Sequence, residues 1–319
     1  MAGTNQVVRD RHHESLHHAL GPLIAEALSR SDVVEIMANP DGHLWIDRAG
    51  VGREKIGRIE PSAAETTIRL LASHMGETVN PDHPSVAGVL PRTGERFQGV
   101  LPPLAERPVF TIRKRASIVF SLCDYVAKGI LSAEGATTIR KAVVDHRNIL
   151  VAGGTGSGKT TLVNAILAEP AFRSDRVVII EDTKELQCPA EDKVELLTKN
   201  TEPRVTMTDL LRMTLRLRPD RIIIGEVRGG EALAMLKAWN TGHPGGVATI
   251  HANSASDALR RVEDLVGESS HTIPTRSIAS AINLIMHIER IPTAPGRRVS
   301  RIVEVTGYGN DDYLLREAR

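Results

Sequence analysis

From residue 33 onward apolar and polar positions alternate in short runs. Val33-Val34-Glu35-Ile36-Met37 and His43-Leu44-Trp45-Ile46-Asp47 flank Asn39-Pro40-Asp41-Gly42, a pattern that predicts a β-hairpin. A helix is expected next, with Pro61 in its first turn and Ile68, Leu70, Leu71 and Met75 along it. Further strands are predicted at 96–101 and 109–113, separated by Pro102-Pro103. These elements predict a small α+β domain over residues 1–105. Residues 102–121 hold three prolines and four basic residues, so a linker is placed at 106–130.

After Ser121 the pattern changes to short, continuously apolar runs separated by helical segments. The runs fall at 149–152, 177–180, 222–224 and 247–250, and helices are expected at 162–167, 210–217 and 232–239. Uninterrupted apolar strands belong to sheets covered on both faces. Their alternation with helices predicts an α/β domain over 131–319, with a doubly wound, mostly parallel sheet.

Composition narrows the function classes. Hydrophobic residues at 41% and charged residues at 25% fit a folded globular chain of 319 residues. A net charge of +1 gives no general attraction to polyanions, and 3% aromatics offer few stacking platforms, so direct sequence-specific nucleic-acid binding is not expected. Cys123 and Cys188 are too few for a zinc site or a disulfide framework. The charged, histidine-rich N-terminus lacks the apolar core of a secretory signal, and no run approaches the ~20 apolar residues of a membrane span. The expected location is the cytoplasm. His12, His13, His17 and His18 could in principle bind a metal on one helix face, but without further ligands they read as solvated surface.

The strongest chemical signal is Gly153-Gly154-Thr155-Gly156-Ser157-Gly158-Lys159-Thr160-Thr161. It follows a predicted strand and opens a predicted helix, the setting a phosphate-binding loop requires. Glycines let successive backbone N–H groups converge on phosphate oxygens, and the helix N-terminus adds a favourable dipole. Lys159 is assigned to the β- and γ-phosphates of ATP, and the Thr160 hydroxyl to Mg²⁺.

Three later strands end on polar residues, and ligands of open α/β sheets gather at those carboxyl ends. Glu181 and Asp182 follow the first strand; two adjacent acids could hold Mg²⁺ through water or orient the attacking water. Gly225-Glu226 ends the second, where Glu226 could position or deprotonate a water in line with the γ-phosphorus, or simply pair with Arg228. Asp220 precedes that strand and reads as a structural cap. His251 follows the third strand and could sense the γ-phosphate; His243, in a Gly-Pro turn, is a weaker candidate. Phosphoryl transfer also gains from an added cation. Arg92, Arg96, Arg107, Arg113, Lys114 and Arg115 are candidates, with Arg113 best placed because a strand would position it; a solvated basic linker is the other reading.

Together, GGTGSGKTT, IIEDTKEL, LRLRPDRIIIGEVRG and TGHPGGVATIHANS resemble the Walker A motif, aspartate box, Walker B motif and histidine box of the type II/IV secretion ATPase superfamily, in the same order. The resemblance spans roughly residues 30–290 and is nearest to conjugal-transfer ATPases of the TrbB type. It implies a PAS-like N-terminal domain, a RecA-like C-terminal domain, and nucleotide between them with Arg113 or a neighbour reaching the phosphates. It also implies a homohexamer in peripheral contact with the inner membrane, docked on inner-membrane components of a conjugation or type IV secretion machine. Asn283 departs from the pattern, since related proteins often carry Asp there. A type IV pilus or tight-adherence motor shares the core and stands as an alternative, as does a nucleotide-gated scaffold with little turnover.

Overall fold

The computed structural model describes residues 20–48, 51–90, 94–114, 119–199 and 202–318. The histidines at 12–18, Arg92 and Arg115 lie outside them. The chain divides into two compact units, Met1–Ser117 and Ile118–Arg319.

The first unit holds an antiparallel sheet of β1 (Val33–Ala38), β2 (His43–Arg48), β3 (Gly52–Arg58), β4 (Ser85–Val89), β5 (Arg96–Val100) and β6 (Val109–Arg113), in the order β3-β2-β1-β6-β5-β4. The predicted hairpin is β1–β2, with Ile36 opposite Ile46. Period-two alternation sends Ile36, Leu44, Ile46, Phe97, Phe110 and Ile112 to one face. There they meet Leu20, Ile24 and Ala27 of α1 (20–29) and Ile68 and Leu71 of α2 (Pro61–His74). Strands β3 and β4 were not anticipated, and they are the two edges of this sheet. Edge strands carry charge against edge-to-edge pairing, as Gly52–Arg58 does, and so lose the apolar signal.

The second unit is built on eight strands: β7 (Ile149–Ala152), β8 (Val177–Glu181), β9 (Lys193–Leu197), β10 (Arg221–Val227), β11 (Val247–Ile250), β12 (Leu284–Arg290), β13 (Arg297–Gly309) and β14 (Asp312–Glu317). Their order is β14-β13-β12-β7-β11-β10-β8-β9. Every pairing from β12 to β9 is parallel, and β13 and β14 extend the edge antiparallel. Along the central strands consecutive residues take opposite faces. Ile149, Val151, Val177, Ile179, Ile223 and Val247 pack with α3 (Leu122–Ala127), α4 (Ala133–Val144) and α5 (Lys159–Leu167). Leu150, Val178, Ile180, Ile222, Ile224 and Ala248 pack with α6 (Met207–Thr214), α7 (Glu231–Asn240), α8 (Ala255–Gly267) and α9 (Thr275–Ala281). The unit is thus an α/β sheet wound on both faces. Truncating any of these isoleucines to alanine would cost about 2–5 kcal/mol.

The linker expected at 106–130 is not a linker over most of its length. Phe110 and Ile112 of β6 lie in the core of the first unit. Leu122 and Tyr125 of α3 lie in the core of the second, and Ser121 and Asp124 close a capping box at the start of that helix. Local prolines and basic residues masked a strand and a capped helix whose apolar residues are buried by distant partners.

The edge where the parallel strands begin is held by polar contacts. Asn148 Oδ1 accepts the Gly246 N–H at 2.8 Å, and its Nδ2 donates to Ala281 O at 2.7 Å. Asn283 Oδ1 accepts the Asn148 N–H at 2.8 Å, which fixes β12 beside β7. This task needs only an acceptor, so Asn serves where Asp would. Arg221, 1% exposed, donates to Asp175 at 2.5 Å and lies 4.6 Å over the Phe172 ring. Asp220 accepts the Arg176 N–H here at 2.8 Å.

Candidate active site

The opposite edge carries the chemistry. Strand β7 ends at Ala152, the loop runs from Gly153 to Gly158, and α5 begins at Lys159. Gly156 (φ 66°) and Gly158 (φ 104°) adopt the left-handed backbone that L side chains avoid. This conformation turns the loop amides inward and starts the helix without a side-chain cap.

Lys159 is 7% exposed, and its Nζ donates to Gly153 O and Gly154 O, both at 3.0 Å. A buried ammonium needs compensating partners, and loop carbonyls are weaker ones than a phosphate. Ser157 is buried in the same loop and its Oγ has no hydrogen-bond partner. An orphaned hydroxyl beside an inward-facing ammonium fits an anionic ligand such as the phosphates of ATP. Thr160 and Thr161, half-buried, stand in the first turn of α5. No group of three or more His, Cys, Asp or Glu among the described residues could hold a metal by itself. The Thr160 hydroxyl at the start of α5 is an oxygen donor of the kind Mg²⁺ takes.

The neighbouring strand ends assemble around Lys159. His251, just after β11, places Nε2 3.4 Å from Lys159 Nζ and 2.6 Å from Glu226 Oε1. Burial, and then the positive charge of Lys159, push the His251 pKa down, so the ring is neutral at pH 7. Glu226 Oε2 accepts from Arg228 Nε at 2.7 Å, while Oε1 accepts no aligned hydrogen bond. That oxygen is buried and lies against His251 Nε2. The pairing of Glu226 with Arg228 is real, and it occupies only the other carboxylate oxygen. Asp182 reaches the same cluster, 3.6 Å from Arg228, and accepts from Thr198 Oγ1 at 2.9 Å.

Glu181 departs from expectation. It was assigned to Mg²⁺ or the attacking water, but it is 3% exposed and its Oε1 accepts N–H groups of Glu185 and Leu186, both at 2.9 Å. Burial raises its pKa to about 7, against the lowering effect of those two hydrogen bonds. A carboxyl half-protonated at neutral pH, with one oxygen committed to a turn, makes a poor metal ligand. Its stem instead packs against Gly225, where a Cβ would come within 2.9 Å of Glu181 Cγ. Glycine at 225 therefore leaves room for the Glu181 stem, and the pairing of β10 with β11 is irregular between Ile224 and Val227, around Glu226.

Other candidates lie elsewhere. His243 precedes β11 and faces Pro219 O at 2.9 Å, at the edge where the strands begin. Arg113 is at the exposed end of β6 in the first unit, across from Glu35 and Arg96. Arg107 is exposed, and Lys114 Nζ donates to Arg30 O. Two residues near the loop were not anticipated: Arg290 donates to Gly156 O at 2.9 Å, and Arg297 lies over Gly158. They follow the loop by more than a hundred residues and sit in no recognisable pattern.

The family described as type II/IV secretion system protein matches residues 60–301. The conjugal transfer protein TrbB of Rhizobium radiobacter is 49% identical over 300 residues, covering 93% of this chain and 91% of its own length. The type IV secretion system protein PtlH of Bordetella pertussis is 35% identical, covering 87% of this chain and 91% of its own. Among solved structures, the ATPase DotB of Legionella pneumophila superposes with a TM-score of 0.61 at 21% identity, covering 92% of this chain and 79% of that one. At that identity the likeness establishes a shared fold.

Proposed function

We infer the function from one premise: the chain belongs to the type II/IV secretion system protein family. It is a P-loop ATPase of the secretion class. It hydrolyses ATP to power conjugal transfer or a related type IV secretion process. The observation that carries this reading is the phosphate loop whose Lys159 lies 3.4 Å from His251, which in turn lies 2.6 Å from Glu226. Lys159 supplies counter-charge to the β- and γ-phosphates, and Thr160 holds Mg²⁺, with Asp182 contributing through water. Glu226 orients the attacking water, and His251 beside it reports the γ-phosphate as a neutral hydrogen-bond donor. Glu181 packs against Gly225, the residue before Glu226. Arg113 is kept as the candidate for an added cation.

The working form is a homohexamer on the cytoplasmic side of the inner membrane, in peripheral contact with it and with components of the transfer machine. The relatives serve conjugal transfer and type IV secretion, which supports a transfer machine as its partner. It is also compatible with the finding that no helix among the described residues is long and apolar enough to cross a membrane.

The test separates binding from chemistry. Lys159→Ala should abolish Mg²⁺-dependent ATP hydrolysis together with most nucleotide affinity. Glu226→Gln should keep ATP binding within a few-fold of the parent while turnover falls by about 10²-fold or more. Wild-type hydrolysis no higher than that of Lys159→Ala, with or without phospholipid, would leave a non-hydrolysing scaffold as the answer.

A further inference from the structure

The phosphate loop has two flanks. Strands β11 and β10, carrying His251 and Glu226, lie to one side of β7; β12 lies to the other, and its last residue is Arg290. Strand β13 opens with Arg297. Both arginines turn back onto the loop. Arg290 Nε donates to Gly156 O at 2.9 Å, and one of its terminal nitrogens sits 2.5 Å from where a Cβ at Gly156 would project. A terminal nitrogen of Arg297 is 2.7 Å from the corresponding point at Gly158. Each left-handed glycine is therefore covered by a guanidinium, in space that any side chain would fill.

Among the described residues no carboxylate pairs with either arginine, although the surface nearby is rich in such pairs, Arg298 with Glu289 and Arg301 with Glu317 among them. Arg297 is half-buried, and its side chain makes no hydrogen bond among the described residues. Ser157, between the two glycines, keeps its buried hydroxyl without a partner. Two cations converge on a loop that already holds Lys159, and nothing negative within the described chain offsets them. Like charges so gathered repel one another and indicate an anion as their counterpart.

We propose that Arg290 and Arg297 bind the α,β-diphosphate of the nucleotide, the portion ATP and ADP share, from the flank opposite Glu226 and His251. The proposal rests on the nucleotide reading above and adds a division of labour to it. Lys159, beside His251, answers the phosphate that is cleaved. The arginine pair grips the part that stays, through planar donor forks that match phosphate oxygens two at a time. The product would then be held by the same contacts as the substrate.

Equilibrium binding of N-methylanthraniloyl-ADP and N-methylanthraniloyl-ATP to the full chain, by fluorescence anisotropy with magnesium chelated, tests this. Arg297→Ala should weaken both nucleotides by about tenfold, the size of a lost charge-assisted contact, and leave their affinity ratio unchanged. Arg290→Ala should act in the same direction, and Arg297→Lys should recover part of the loss by keeping the charge. Alanine variants that bind both nucleotides as the parent does overturn the proposal, as does a loss confined to ATP. A drop in the melting temperature of the nucleotide-free variant, with lysine no better than alanine, would make the arginines mere braces of the loop and overturn it as well. A parent protein that binds neither nucleotide defeats the nucleotide reading itself, and the arginine assignment falls with it.

Discussion

Glu181 and Glu226 end neighbouring strands and look interchangeable in the sequence, yet their surroundings give them different chemistry. Glu226 has a cation on one oxygen and the His251 ring 2.6 Å from the other. Glu181 is enclosed and holds its proton up to about pH 7. The folded state retains that proton between the ordinary carboxylate value near 4.5 and about 7, while the unfolded chain releases it. Stability from this group is fully present below pH 4.5 and is lost as pH rises through 7, by about 3–4 kcal/mol in all. Glu181→Gln, whose amide oxygen can still accept the two backbone N–H groups, should abolish that loss. Urea midpoints at pH 5 and pH 8 would lie closer together in the variant than in the parent. The position of both acids was legible because apolar strands announce their ends. The difference between them was not, because nothing in the spacing of the motif segments shows that Gly225 admits the Glu181 stem or that the N–H groups of 185–186 close on its carboxylate. Arg290 and Arg297 were illegible because β12 and β13 bring them to the loop from the far end of the chain.

At the scale of elements, the sequence revealed central strands and lost the margins. Ile149–Ala152 and Val177–Glu181 are buried at every position and read as unbroken apolar runs. Strands β3, β4, β9 and β14 are all sheet edges, half-exposed and mixed in composition. Strand β12 is internal, but His287 interrupts its apolar run. The start of β10 illustrates a further class of element contact, in which a charged residue is wholly internal. Arg221 ties β10 to Asp175 and stacks on Phe172. Arg221→Ala should cost about 3–5 kcal/mol, because Asp175 would stay behind, mostly enclosed and without its cation. Chemical denaturation of the variant measures it, and a cost below about 1 kcal/mol would mean that water reaches Asp175 freely.

For the whole molecule, alternation of strand and helix was enough to place a doubly wound sheet, and four ordered motifs were enough to place the family. The division into units was read less well, since the region expected to link them is shared out between two cores. Within the second unit the sheet itself divides the interior. Ile223 and Ile224 are consecutive residues, yet one packs with α3–α5 and the other with α6–α9. The sheet acts as an insulating wall, so sequence adjacency implies no energetic communication across it. In a double-mutant cycle, Ile223→Val and Ile224→Val should combine with a coupling energy under about 0.5 kcal/mol. Ile224→Val and Val178→Ala lie 46 positions apart but share one core, and their coupling should be the larger of the two. Measured by denaturation, that reversal of the order along the chain would make one protein unit behave, thermodynamically, as two hydrophobic compartments with a common partition.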